Sequence, residues 1–165
     1  LNKPDTLIKQ LDLVPHPEGG FYKELYRSPL KVSCQTLATE RSAYTSIYYL
    51  LNGNDFSAWH RITSDETWFF HAGTDLCIYT LADDRVIKPH VIGPSDAALG
   101  FQTTVPANTW FAAQVLDKNS YCLVSCIVGP GFEFTDFELG SREALCALIK
   151  PGSKDVKLIQ ALTRQ

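Results

Sequence analysis

An all-β barrel or sandwich with short helices at both ends is the fold class that this sequence predicts, and three observations predict it. Short runs rich in β-branched and aromatic residues recur through the middle of the chain. Turn residues part them every ~8–12 positions, the spacing of antiparallel sandwiches and barrels. No helical pattern separates one strand from the next, as an open parallel sheet would require.

The elements follow in order. Asp5 opens a short helix with Leu7, Ile8 and Leu11 on one side, Pro15 and Pro17 end it, and Gly19-Gly20 turns the chain. Strands are expected over Phe21–Tyr26 and Tyr44–Leu51, then, after the turn Asn52-Gly53-Asn54-Asp55, over Phe56–Arg61, Trp68–Phe70 and Leu76–Leu81. Beyond the turn Ala82-Asp83-Asp84 come Phe101–Val105, Trp110–Val115, Tyr121–Val128 and Phe132–Leu139. Ser141 caps a helix running through Ile149, and Ser153 caps another through Leu162. The chain reads as one domain over 1–165, with the barrel over about 20–140.

Composition excludes several classes. A chain of 165 residues buries roughly 70% of its unfolded surface, enough for a core without staples. The net charge is −3, and between Phe56 and Glu138 four basic residues face ten acidic ones. A nucleic-acid partner is not expected without a basic stripe to displace counterions. No apolar run reaches the ~18 residues of a membrane span. The stretch Leu1–Leu11 is too polar for a secretory leader. Five cysteines, Cys34, Cys77, Cys122, Cys126 and Cys146, form no CxxC pair. Cys122 and Cys126 lie roughly 13 Å apart on one strand and cannot bridge. Reduced, buried thiols in a cytoplasmic protein are the expectation.

The stretch Gly53–Gly73 holds the chemistry. His60 and Ile62 share a strand face, and a tight hairpin is expected to return Glu66 toward His60. Trp68 has the parity of Glu66 and is placed in the same cavity, where its ring could stack on a sugar or planar ligand. Glu24, Arg27 and Arg41 are candidates for a barrel mouth, arginine suiting phosphate or carboxylate. Of Tyr48 and Tyr49, which face opposite ways, Tyr48 is taken as inward. Gln114 and Ser125 are polar residues in apolar strands and face either cavity or solvent. His16 reads as structural in a proline-rich turn, and His90, beside Pro89, as a solvated loop residue.

These residues resemble the cupin superfamily. Its first motif, G-x5-H-x-H-x3-E-x6-G, finds His60, Ile62, Glu66 and Gly73 here, with the opening glycine shifted by one to Gly53. Its second, G-x5-P-x-G-x2-H-x3-N, finds Gly100 and Pro106, with Asn108, Phe111 and Val115 as departures. Wider runs, His16-Pro17-Glu18-Gly19-Gly20-Phe21-Tyr22, Tyr26-Arg27-Ser28, Thr45–Leu51, Phe56–Arg61 and Gly129–Phe134, are similar to a small cupin group of unassigned function, cupin family 5. That likeness spans about residues 5–150.

The resemblance implies a double-stranded β-helix, the cupin jelly-roll barrel, and a homodimer. It also implies a metal held by three histidines and a glutamate, of which only His60 and Glu66 remain. Catalytic zinc keeps three protein ligands, and the iron facial triad needs two histidines and a carboxylate. His71 has the wrong parity to supply the third. No metal and no cofactor are therefore expected. An imidazole and a carboxylate suit acid–base chemistry near neutral pH. Metal-free sugar epimerases of the superfamily offer the analogy, so the expected partner is a small molecule. The leading reading is an isomerase or epimerase of a sugar or sugar phosphate, with His60 moving the proton and Glu66 orienting it or acting as its partner acid. A non-catalytic module binding a small polar or nucleotide-like metabolite is the alternative, and a metal-dependent cupin enzyme a third.

Overall fold

The apolar runs Phe56–Arg61, Leu76–Leu81 and Trp110–Val115 are buried along nearly their whole length, which calls for two facing sheets with a shared interior and further cover outside. The computed structural model describes residues 3–34, 37, 39–150 and 152–164. In chain order it holds α1 (Lys3–Gln10), β1 (Val14–Pro15), β2 (Phe21–Arg27), β3 (Lys31–Val32), β4 (Arg41–Ser42) and β5 (Thr45–Asn52). Next come β6 (Phe56–Arg61), β7 (Asp65–Gly73), β8 (Leu76–Leu81), β9 (Ile87–Ile92), β10 (Gln102–Val105), β11 (Trp110–Val115) and β12 (Tyr121–Gly129). A 3-10 turn (Phe134–Asp136), β13 (Glu138–Leu139), α2 (Arg142–Leu148) and α3 (Asp155–Ala161) complete the order. Among the described residues no helix is long and apolar enough to cross a membrane.

One sheet runs β1-β2-β5-β12-β7-β10, a second runs β13-β6-β11-β8-β9, and β3 pairs β4 in a separate ribbon, with every pairing antiparallel. This is the expected jelly-roll barrel. Its interior packs Tyr49, Leu51, Trp68, Ile78, Phe111 and Val124 between the sheets. Helices α2 and α3 cover the outer face of the second sheet with Leu145, Ile149 and Ile159 against Trp59 and Ala112. Helix α1 covers part of the first, setting Leu7, Ile8 and Leu11 on Leu50, Leu123 and Tyr48. Ser141 caps α2 by accepting from the Ala144 amide at 3.2 Å, as its position predicts. Ser153 lies one residue before the N-cap of α3 and bonds the Asp155 amide instead.

Three expectations need correction. The β6–β7 turn is not a hairpin: β6 and β7 lie in opposite sheets, so the chain passes from one sheet to the other between them. Phe132–Leu139 is not one strand. Its aromatic rings turn inward over the barrel end, and the Phe132 amide donates to Thr45 Oγ1 at 3.0 Å. Ile87–Ile92 is a strand despite Pro89, because it is the sheet's edge, where a missing donor costs least. His90 there meets Thr80 Oγ1 at 3.0 Å.

Candidate functional site

A cavity of about 130 Å³ opens at the end of the barrel where the Phe132–Phe137 segment folds over. By the same measure that is room for roughly ten waters. Both sheets build it. His60 and Ile62 come from one side, and Glu66, Trp68, Tyr49, Glu24 and Arg27 from the other.

Its deep end is set by the β1–β2 loop. Gly19 takes φ +117, and a Cβ there would meet Arg164 Nη2 at 2.0 Å and Phe56 O at 2.1 Å. Glycine alone lets the loop press so closely against β6. Glu18 is thereby driven into the barrel. It accepts from Ser57 Oγ at 2.9 Å through Oε1, and its Oε2 lies 3.1 Å from His60 Nε2. Ser57 and His60 are three residues apart and would face opposite ways in a regular strand. A bulge sets Phe111–Ala113 against His60–Ser57, three positions against four, and turns both toward Glu18.

Proton placement follows from geometry. His60 Nδ1 is 2.7 Å from the Ala58 carbonyl, which only accepts, so Nδ1 carries hydrogen. Nε2 then shares a single proton with Glu18 Oε2, as an imidazolium–carboxylate pair or its neutral tautomer. The Glu18 amide donates to His16 Nδ1 at 3.3 Å, leaving the His16 proton on Nε2. The 3.5 Å approach of His16 Nδ1 to Glu18 Oε2 is thus not a hydrogen bond. Burial lowers the His16 pKa, Glu18 opposes that shift, and the ring stays neutral.

Glu66 faces this pair from the opposite sheet without bonding it. Burial, then the negative charge of Glu18, push its carboxyl up to about 8, against a smaller opposing bond from Cys126. Cys126 itself is held well above the usual thiol range by burial and by Glu66, so it is not a nucleophile. Tyr49 donates to the Gly19 carbonyl at 2.7 Å, and burial with Glu18 drives its phenol up. The indole Nε1 of Trp68, a residue 1% exposed, has no hydrogen-bond partner.

At the mouth a second bulge, between Glu24 and Tyr26 on β2, brings Glu24 and Arg27 to one face. Arg27 donates to both Glu24 carboxylate oxygens at 3.0 and 2.8 Å, to Glu133 at 2.7 Å and to the Phe132 carbonyl at 3.1 Å.

His60, Glu66, Trp68, Glu24 and Arg27 therefore lie on one cavity. Tyr48, Ser125 and Gln114 do not. Tyr48 and Ser125 sit on the outer face beside His71, whose Nε2 is 2.8 Å from Ser125 Oγ, because α1 claims that face and Tyr49 turns inward. Gln114 shares the parity of Ala112 and faces the helical layer, donating to Tyr79 Oη at 2.9 Å. Arg41 is spent on Asp136 at 2.9 and 2.8 Å. Nor does Glu66 orient His60; Glu18 does. Glu18, His16, Ser57 and Tyr49 were not legible as site residues. The one signal was the run His16-Pro17-Glu18-Gly19-Gly20, whose paired glycines mark a close backbone approach.

The donor set does not fit the metal of the cupin pattern. Ile62 and Phe111 offer hydrocarbon where two histidines would stand, and the Phe111 ring lies 4.0 Å from the His60 ring. Both His60 nitrogens are engaged. Among the described residues no three His, Cys, Asp or Glu side chains converge to hold an ion.

Comparisons with known proteins agree with this architecture. Protein SO0799 of Shewanella oneidensis matches at 38% identity and TM-score 0.86, covering 99% of both chains. A hypothetical protein of Leishmania major matches at 35% identity and TM-score 0.88, covering 99% of this chain and 100% of its own. The uncharacterized protein YML079W of Saccharomyces cerevisiae is 28% identical over 161 residues, 88% of this chain and 79% of that one. A cupin-2 domain protein of Rhodospirillum rubrum, at 13% identity and TM-score 0.59, shares the fold. The family model described as Cupin superfamily (DUF985) matches residues 5–140, and the chain belongs to that family.

Proposed function

We propose that this cupin is a metal-independent isomerase or epimerase acting on a small hydroxylated carbonyl compound of sugar size. One observation carries the reading: two proton-transfer groups with separated roles face one small cavity from opposite sheets. The Glu66 carboxyl, raised to about 8, is a base of useful strength in its ionised form. The proton that His60 shares with Glu18 is a donor for the oxygen across from it. Glu66 takes the proton from the carbon beside the carbonyl, His60 protonates the carbonyl oxygen, and an enediol forms. Return of a proton to the neighbouring carbon, or to the other face, gives the isomer or epimer. No atom is gained or lost. The homodimer that the family likeness implies belongs to the same proposal.

The test uses deuterium. Candidate aldoses are incubated with the protein in D2O, and loss of the signal of the hydrogen beside the carbonyl is followed by NMR. His60→Asn is expected to slow exchange by about 10²–10⁴-fold, the worth of acid–base catalysis. The rate constant kcat/KM is expected to rise with pH and level above about 8, as Glu66 loses its proton. Unaltered exchange in His60→Asn would overturn the mechanism. A second reading, binding without turnover, is favoured by the engagement of both His60 nitrogens in the ligand-free cavity. Binding of an aldose with no exchange of carbon-bound hydrogen would select it.

A further inference from the structure

The chemistry of the ligand is written in the charges around the cavity. Four carboxyl groups line it, Glu18, Glu24, Glu66 and Glu133, against one permanent cation, Arg27. Four bonds from Arg27 to Glu24, Glu133 and Phe132 O occupy four of its five N–H donors. Glu24 and Glu133 carry two negative charges against that single positive one, so the mouth is net negative by one. A phosphate entering there meets two carboxylates and an arginine with one donor to spare. That arrangement of charges is the reverse of an Arg-lined anion site.

Aromatic faces stand beside the carboxylates. Tyr22 meets His16 edge-on at 4.6 Å, Phe134 stacks on the same imidazole at 6.1 Å, and Phe132 packs on Phe134 at 5.0 Å. Ring faces attract cations as well as carboxylates do. Deeper, the indole of Trp68 lines the same cavity.

We infer that the ligand is an amino sugar or a similar hydroxylated amine, its protonated nitrogen at the mouth against Glu24 and Glu133. This rests on the sugar-sized acid–base site proposed above and narrows its substrate to cations, setting phosphate esters aside.

Three probes test it by calorimetry, with the Trp68 indole NMR signal reporting occupancy of the barrel: D-glucosamine, D-glucose and D-glucose 6-phosphate. Glucosamine is expected to bind about tenfold more tightly than glucose, the worth of one cation against ring faces and a carboxylate, with the phosphate weakest. Glu24→Gln with Glu133→Gln is expected to bring the glucosamine-to-glucose ratio close to one. Equal binding of glucosamine and glucose by the wild-type protein, or tighter binding of the phosphate, overturns the amine and leaves the sugar site standing. Silence of the Trp68 signal to all three overturns both.

Discussion

At the deep end of the cavity Glu18 meets His60 with side chains 7% and 2% exposed, whereas at its mouth Arg27 meets Glu24 and Glu133 with side chains 33%, 41% and 46% exposed. Both clusters join a glutamate carboxyl to a basic side chain, and both are assembled by a bulge that turns residues three apart to one face. Their energetics differ because water reaches only one of them. A buried pair that loses one member leaves the other uncompensated in a poor solvent. An exposed pair is resolvated at once and screened by salt. Chemistry can therefore reside at the deep end, where burial raises the proton affinity of Glu66 and Tyr49. The mouth can only bias which charge enters.

The largest test of this contrast is Glu18→Ala. It strands His60, and urea unfolding is expected to show a loss of about 3–5 kcal/mol. A loss below about 1 kcal/mol would mean that the pair is no more than a surface contact. Glu66 comes next. Its native carboxyl keeps a proton that the unfolded chain releases near pH 4.5, so the native state binds more protons between 4.5 and about 8. Its contribution to stability is full below that window, falls by about 1.4 kcal/mol per pH unit as pH rises through it, and is flat above. Glu66→Gln should flatten that part of the melting-temperature profile, and a profile parallel to wild type would sink the assignment. The smallest effect belongs to the mouth. Glu133→Gln should shift stability by less than about 1 kcal/mol, and the shift should shrink further in added salt. A larger, salt-insensitive loss would show that the mouth behaves like the interior.

Much of this architecture is legible in the chain itself. Phe56–Arg61, Leu76–Leu81 and Trp110–Val115 match their strands because turn residues bracket compact apolar runs on both sides. His60, Glu66 and Trp68 are readable because parity within a strand survives folding. Parity fails at a bulge, which is why Ser57 was invisible beside His60. It is silent on which side is inward, which is why Tyr48 and Tyr49 could be exchanged; α1 decides that from forty residues away or more. The Glu18 carboxylate escaped because it lies in a loop, where no periodicity assigns a direction. The crossing from β6 to β7 escaped because a short polar turn serves a sheet-to-sheet crossover as well as a hairpin.

Arg164, in the segment after α3, donates through Nε to the Glu18 carbonyl at 2.9 Å and through Nη2 to Asp55 and Phe56 O at 2.7 and 3.0 Å. The first of these contacts joins residues 146 positions apart. A ribosome delivers the β1–β2 loop early and Arg164 late, and domains consolidate in the order that their contacts become available. The strands can pair while the loop bearing Glu18 still lacks its guanidinium clasp. The loop bearing Glu18 is thus clasped only once Arg164 has been made, after every strand of the barrel, and a chain stalled before Arg164 would carry a barrel without that clasp.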